Sequence, residues 1–147
     1  MVNRRKSREL AMQALFYMDM SKSDSEETIK LFCDNFIFSK EASLFFLKLV
    51  NGVIHTRQDI DPIIERFSSN WKMSRMSCVD RNIMRIAVYE LLFCSDIPSK
   101  VSMNEAIDIG KKFGTEESGA FINGILDSIH IALEKEEINI ELGFVQK

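Results

Sequence analysis

Apolar residues recur at helical spacing along almost the whole chain. Leu10, Ala11, Ala14, Leu15 and Met18 mark one face of a helix that starts among Arg4, Arg5, Lys6 and Arg8. Ser23-Asp24-Ser25-Glu26 has capping-box spacing and precedes Ile29, Leu31, Phe32, Phe36 and Ile37, a second helix. Ser39 is placed to cap a third, carrying Leu44, Phe45, Leu47, Leu49, Val50, Val53 and Ile54. Gly52 in its middle costs ~1 kcal/mol relative to Ala, which a close helix crossing would explain. Asp61-Pro62 opens a fourth helix with Ile63, Ile64 and Phe67. Ser68-Ser69-Asn70 ends it, and Trp71 follows as a predicted core anchor.

Ser77 to Cys94 is the most apolar stretch and predicts a helix buried at the centre, stopped by Asp96-Ile97-Pro98. Ser102-Met103-Asn104-Glu105 is another capping box, opening a short helix that ends at Phe113-Gly114. Thr115 is expected to cap the last long helix, striped by Phe121, Ile122, Ile125, Leu126, Ile129 and Leu133. Only Ile138-Asn139-Ile140-Glu141-Leu142 alternates with period two, and it reads as a tail. The pattern predicts an all-α fold of about seven helices: one domain over residues 1–133, with the polar 68–76 stretch as a waist between subdomains 1–70 and 71–133. An acidic tail, 134–147, follows.

Composition narrows the class. The 147 residues suffice for one sizeable core, and two Pro with six Gly exclude collagen-like or low-complexity chains. No apolar run approaches the ~20 residues of a membrane span and no leader-like block follows the start, so a soluble, cytoplasmic protein is expected. Cys33, Cys78 and Cys94, with His55 and His130, are too scattered for a disulfide framework or zinc site. A Cys–His pair stays open only through folding. Without a Gly-rich phosphate loop, HExxH, CxxC or GxSxG, no catalytic site, metal or cofactor is expected.

The charge is unevenly placed. Residues 1–8 carry +4 and no acid, leaving −7 on the rest of a chain whose net charge is −3. Cations at a helix N-terminus oppose the macrodipole by roughly 0.3–1 kcal/mol each. A phosphate chain is the partner that compensates this cost, while the acidic body limits nonspecific spread.

Four blocks then resemble a known family. The run from Arg4 to Phe16 (RRKSRELAMQALF) resembles the opening of NusB-type bacterial transcription antitermination factors. So do Asp80 to Leu91 (DRNIMRIAVYEL), Ile97 to Ala106 (IPSKVSMNEA), and Lys111-Lys112-Phe113-Gly114 followed by Phe121 to Asp127 (FINGILD). Together they cover roughly residues 4–130. The resemblance implies two small packed helical bundles, no catalysis, and binding of boxA RNA in ribosomal RNA leader transcripts. The partner would be NusE, a small-subunit ribosomal protein, within the RNA polymerase antitermination complex. By match, Arg4, Arg5, Lys6 and Arg8 fall on the family's arginine-rich RNA-binding motif. Gln13 and Phe16 follow on the same helix, and Glu117 to Phe121 match a region placed near RNA. Asp80, Arg81 and Arg85 are candidates for partner contact. Lys6 and Ser7 stand where the motif often has Arg and Ala, and Asp80 where Glu is usual.

Physical reading leaves several alternatives. Phe121 fits core packing or base stacking equally. Phe16 and Tyr17 cannot both face the core, so one is available to a ligand. Thr115, Ser118 and the amides near them form a candidate anion site, although Glu116 and Glu117 fit the macrodipole instead. Arg81 and Arg85 on the central helix require counter-charges, from Asp80 or Glu90, or else a protein or RNA partner. Asn104 and Asn123, amid apolar stripes, are expected in helix–helix or loop hydrogen bonds. A helical protein-interaction scaffold and the accessory domain of an RNA methyltransferase are the rival readings, and a homodimer built on the Met-rich helices is a further alternative.

Overall fold

The computed structural model describes residues 4–22, 25–36, 39–69 and 71–138. Six helices follow in order: α1 (Arg4–Ser21), α2 (Ser25–Phe36), α3 (Lys40–Phe67), α4 (Cys78–Phe93), α5 (Ser99–Phe113) and α6 (Ser118–Glu134). A single 3-10 turn, Met73–Arg75, lies between α3 and α4. No strand occurs among the described residues. Ser23 and Asp24 of the first capping box, Ile37, Asn70 and the tail beyond Ile138 lie outside them.

α4 is central, packing on α1 and α3 on one side and on α5 and α6 on the other. Its Ile83, Met84, Ile86, Ala87 and Val88 are all buried, as the nearly continuous apolar run predicted. One hydrophobic core runs from Leu15 and Phe46 through Met84 to Leu126 and Ile129. Ser39 caps α3, its hydroxyl accepting from the Ala42 amide at 3.1 Å, and Ser77 caps α4 through the Asp80 amide at 3.0 Å. Each cap contributes about 1 kcal/mol.

Several local expectations change. The predicted third and fourth helices are one, and Pro62 lies inside α3 on its exposed side. Asp61 does not cap anything; its carboxylate is held by Arg85 of α4, and Ile60, Ile63 and Ile64 carry the buried stripe across the proline. Burying three Ile side chains at ~1.5–3 kcal/mol each outweighs the ~3 kcal/mol that an interior proline costs. Trp71 is not a core anchor. It is 55% exposed, and Met73 and Met76 fill the core beside it.

α5 begins three residues before its predicted cap, at Ser99 after Pro98, because the Ser102 hydroxyl turns inward to donate to Glu90 at 2.6 Å. α6 begins at Ser118, not after Thr115. The Thr115 amide donates to Ser118 Oγ at 2.9 Å, forming a tight turn whose last residue, Glu117, offers no side-chain cap. Asn104 and Asn123 are exposed and not part of buried amide networks.

Gly52 does mark a close crossing. A Cβ there would overlap the Tyr89 ring of α4, so glycine lets α3 and α4 approach. At Gly114 the backbone is extended (φ −96°, ψ −154°). Glycine is needed there because Ser118 occupies the space a Cβ would take.

Replacing Pro62 with Ala restores an amide donor to an exposed turn of α3. It is expected to raise the unfolding free energy by about 2 kcal/mol after the lost denatured-state restriction is discounted. Urea unfolding checks this. An unchanged or lower stability would show that the helix has adapted fully to the proline.

Candidate nucleic-acid interface

α1 opens with basic residues and no acid in its first turn. Arg4, Arg5 and Lys6 are exposed, but the next residues, Ser7, Arg8 and Glu9, are buried. Arg8 is 4% exposed and makes a two-pronged ion pair with Glu90 of α4, Nε at 2.8 Å and Nη2 at 2.9 Å. Glu105 adds a longer contact at 3.5 Å. Extracting Arg8 would leave an unpaired buried carboxylate, costing about 3–5 kcal/mol. A charge-assisted hydrogen bond to a phosphate returns only about 1.5–3 kcal/mol. The pair therefore wins, and the fold holds Arg8 inward, paired with Glu90.

Arg5 is intermediate. Its Nε and Nη2 donate to Glu105 at 2.7 Å, and Nη2 donates to Asp108 at 2.9 Å. The Arg5 hydrogen bonds, with its charge and that of Arg8, hold the Glu105 carboxyl below the usual range against the upward push of burial. Because Arg5 is 45% exposed, these pairs are worth at most about 1 kcal/mol and can be exchanged for phosphate oxygens. Arg4 lies over the Phe45 ring at 4.7 Å with its charge at the surface.

The same side of α1 continues down α5. Glu9 pairs with Lys112 at 3.1 Å, one turn beyond the Arg5 contacts on both helices. Gln13 and Phe16, four and seven residues past Glu9, share that side and are half-buried. Of the two adjacent rings, Tyr17 is the one that faces out. At the start of α6, Glu117 is exposed and Phe121 half-buried, its ring 6.2 Å from that of Trp71. The anion site considered at Thr115 and Ser118 is closed, since the buried Ser118 hydroxyl already accepts the Thr115 amide.

The second candidate group is tied to acids of other helices. Arg85 grips Asp61 with Nε and Nη2, both at 2.9 Å, and reaches Asp19 of α1 at 3.0 Å. Arg81 and Arg57 approach the same Asp19 at 3.5 and 3.6 Å, and Asn82 donates to it at 3.0 Å. The counter-charges are thus Asp19 and Asp61, from other helices, instead of Asp80 or Glu90. Asp80 is buried, so it and Arg85 present no face to a partner. Asp19 escaped the sequence reading because only folding brings it to α4; the signal was two arginines on a buried helix lacking partners.

Burial pushes the Asp19 carboxyl up, but the Asn82 hydrogen bond and the Arg85, Arg57 and Arg81 charges together outweigh it and hold it below its ordinary value of 3.8. A depressed folded-state value means stability that is present above the unfolded value and lost as pH falls through the folded one. The melting temperature is expected to drop below about pH 4, with a smaller drop in Asp19→Asn. Thermal melts between neutral and acid pH check this; identical acid limbs would remove Asp19 as the responsible group.

Burial raises the Cys78 and Cys94 thiols, keeping them poor nucleophiles. Among the described residues, no three His, Cys, Asp or Glu side chains gather as a metal-binding group, and no helix is long and apolar enough to cross a membrane.

Comparison with known proteins matches residues 5–130 to the model of the NusB family. A relative from Desulfatibacillum aliphaticivorans, a transcription antitermination protein NusB, is 59% identical over 137 residues, covering 93% of this chain and 96% of its own. The solved NusB structure from T. maritima superposes with a TM-score of 0.84 at 38% identity, covering 94% of this chain and 100% of that one. A further solved structure contains the antitermination factors NusB and NusE in complex with dsRNA. It matches with a TM-score of 0.80 at 29% identity over 88% of this chain and 96% of that one.

Proposed function

The chain belongs to the NusB family, and we propose that it acts in transcription antitermination without catalysing a reaction, binding boxA-type single-stranded RNA together with a NusE partner in the RNA polymerase antitermination complex. The observation that carries this reading is the leading turn of α1, where Arg4, Arg5 and Lys6 are exposed side by side. Phosphate oxygens offer these groups what the carboxylates of Glu105 and Asp108 already give Arg5. Farther along, Gln13, Phe16 and Tyr17 supply an amide and two rings, and Glu117 and Phe121 stand at the start of α6. Unpaired RNA is held by this combination of phosphate contacts and stacking. A carboxylate at Glu117 repels phosphate but accepts from a base amino group, so it would favour bases over backbone there. The role places the protein with RNA polymerase in the cytoplasm.

The division of labour within α1 gives a sharp test. Replacing Arg4 and Lys6 together with Ala should lower the log–log salt slope of RNA binding by about 1.4, from roughly 0.7 per phosphate contact on single strands. Helicity should stay unchanged. Titration of labelled boxA RNA across a salt series, with and without NusE, checks this, and a duplex of the same sequence separates single-strand from duplex binding. An unchanged slope and affinity in the doubly substituted protein would exclude the leading turn from RNA binding. Binding of NusE alone, with no RNA retained by either protein or pair, would favour a protein-binding scaffold.

A further inference from the structure

Trp71 is the chain's sole tryptophan, and the fold leaves it 55% exposed. Large apolar side chains belong in cores. Here the neighbouring Met73 and Met76 are buried, so the chain passes through the core without using its largest side chain. The ring is not unsupported. Phe121 lies 6.2 Å away at an interplanar angle of 57°, a tilted pair that props the indole at the surface. The Trp71 amide also donates to the Ser68 carbonyl at 3.2 Å, fixing the backbone from which the ring projects.

The surroundings are cationic. From Arg66 to Val79 the chain carries Arg66, Lys72 and Arg75 and no acid, against −7 for the whole of the chain beyond residue 8. All three are exposed, and none is held in an ion pair among the described residues. Arg66 instead covers the Phe67 ring at 4.8 Å. Glu116 and Glu117, exposed one turn before Phe121, add acidic groups at the start of α6. A propped aromatic face within an exposed cationic stretch fits a single nucleic-acid strand. Its bases lie on the ring, and its phosphates lie toward Lys72 and Arg75.

We infer that Trp71, backed by Phe121, is a stacking platform for an unpaired RNA base, with Lys72 and Arg75 holding the adjoining phosphates. This deepens the RNA-binding reading above and rests on it. It extends the RNA track from the leading helix to the segment between α3 and α4, whose Trp71 the sequence assigned to the core.

Because Trp71 is the only indole, its fluorescence reports on this position alone. Intact protein is titrated with a short single-stranded boxA RNA carrying a dye, and RNA anisotropy and tryptophan emission are followed together. Stacking should quench the emission, with the same saturation point as the anisotropy, and protect the ring from acrylamide. Trp71→Ala should weaken binding about five- to a hundredfold, and Trp71→Phe, which keeps a stacking face, should recover most of it. The salt slope should not change in Trp71→Ala, but should fall by about 1.4 when Lys72 and Arg75 are both replaced with Ala. Far-UV circular dichroism verifies that the variants stay folded, and the wild-type emission needs no variant.

If RNA binds by anisotropy while emission and acrylamide access stay constant, the inference is overturned and the broader reading survives. If Trp71→Ala binds as tightly as wild type, the same holds. Protection by NusE but not by RNA would reassign the ring to a protein contact and equally overturn it. Absence of RNA binding under all conditions would overturn the broader reading, and this inference with it.

Discussion

Arg8 of α1 and Glu90 of α4 share two hydrogen bonds inside the protein, and Ser102 of α5 donates a third to the same carboxylate. A charge so deeply buried is tolerated only when its partner and geometry are fixed. That requirement sets the positions of three helices at once. It also decides how the basic leading segment is used. With Arg8 committed inward, the helix turns its remaining cations, Arg4, Arg5 and Lys6, to the surface at a defined place. The proposed interface is therefore the exposed end of a rigid helix, and the fold, not a flexible arm, aims it.

A second polar knot repeats this logic at the other end of α1. Asp19 gathers Arg57, Arg81 and Arg85, and Asp61 completes the last of them. Between the two knots the apolar faces of α1, α3 and α4 close on one another, with Gly52 allowing the Tyr89 ring to come close. α1 is thus anchored at both ends to the central helix. The rings it exposes near its C-terminal half, and the Trp71–Phe121 pair, project from parts of the molecule that are themselves held in place. Preorganised aromatic and cationic groups lose little entropy on binding, which suits an adaptor that must hold a flexible transcript.

Much of the fold was legible in the sequence because helical periodicity records burial. The central helix, the Ser39 cap, the α6 stripe and the reason for Gly52 all follow from spacing alone. What was illegible has one cause: side chains chosen by tertiary partners. Asp61 looks like a cap but answers Arg85. Ser102 looks like a cap but answers Glu90. Pro62 looks like a start but sits inside a helix held by the isoleucines around it. Trp71 looks like core by composition, yet two methionines close by take that place. For the interface, the sequence located the cationic segment but counted its charges equally. Only the fold separates the inward Arg8 from the tethered Arg5 and the outward Arg4 and Lys6. Arg81 and Arg85 signalled a need for acids or a partner, and the acids that answer them lie on other helices.

A double-mutant cycle on Arg8 and Glu90, read by denaturant unfolding, tests the central ion pair most directly. Arg8→Met and Glu90→Met should each cost about 3–5 kcal/mol, and the double substitution much less than their sum, leaving a coupling energy of about 2 kcal/mol or more. Additive costs, or an Arg8→Met protein as stable as the wild type, would mean that Arg8 is an ordinary surface cation. The arm would then have to be redrawn with four outward charges.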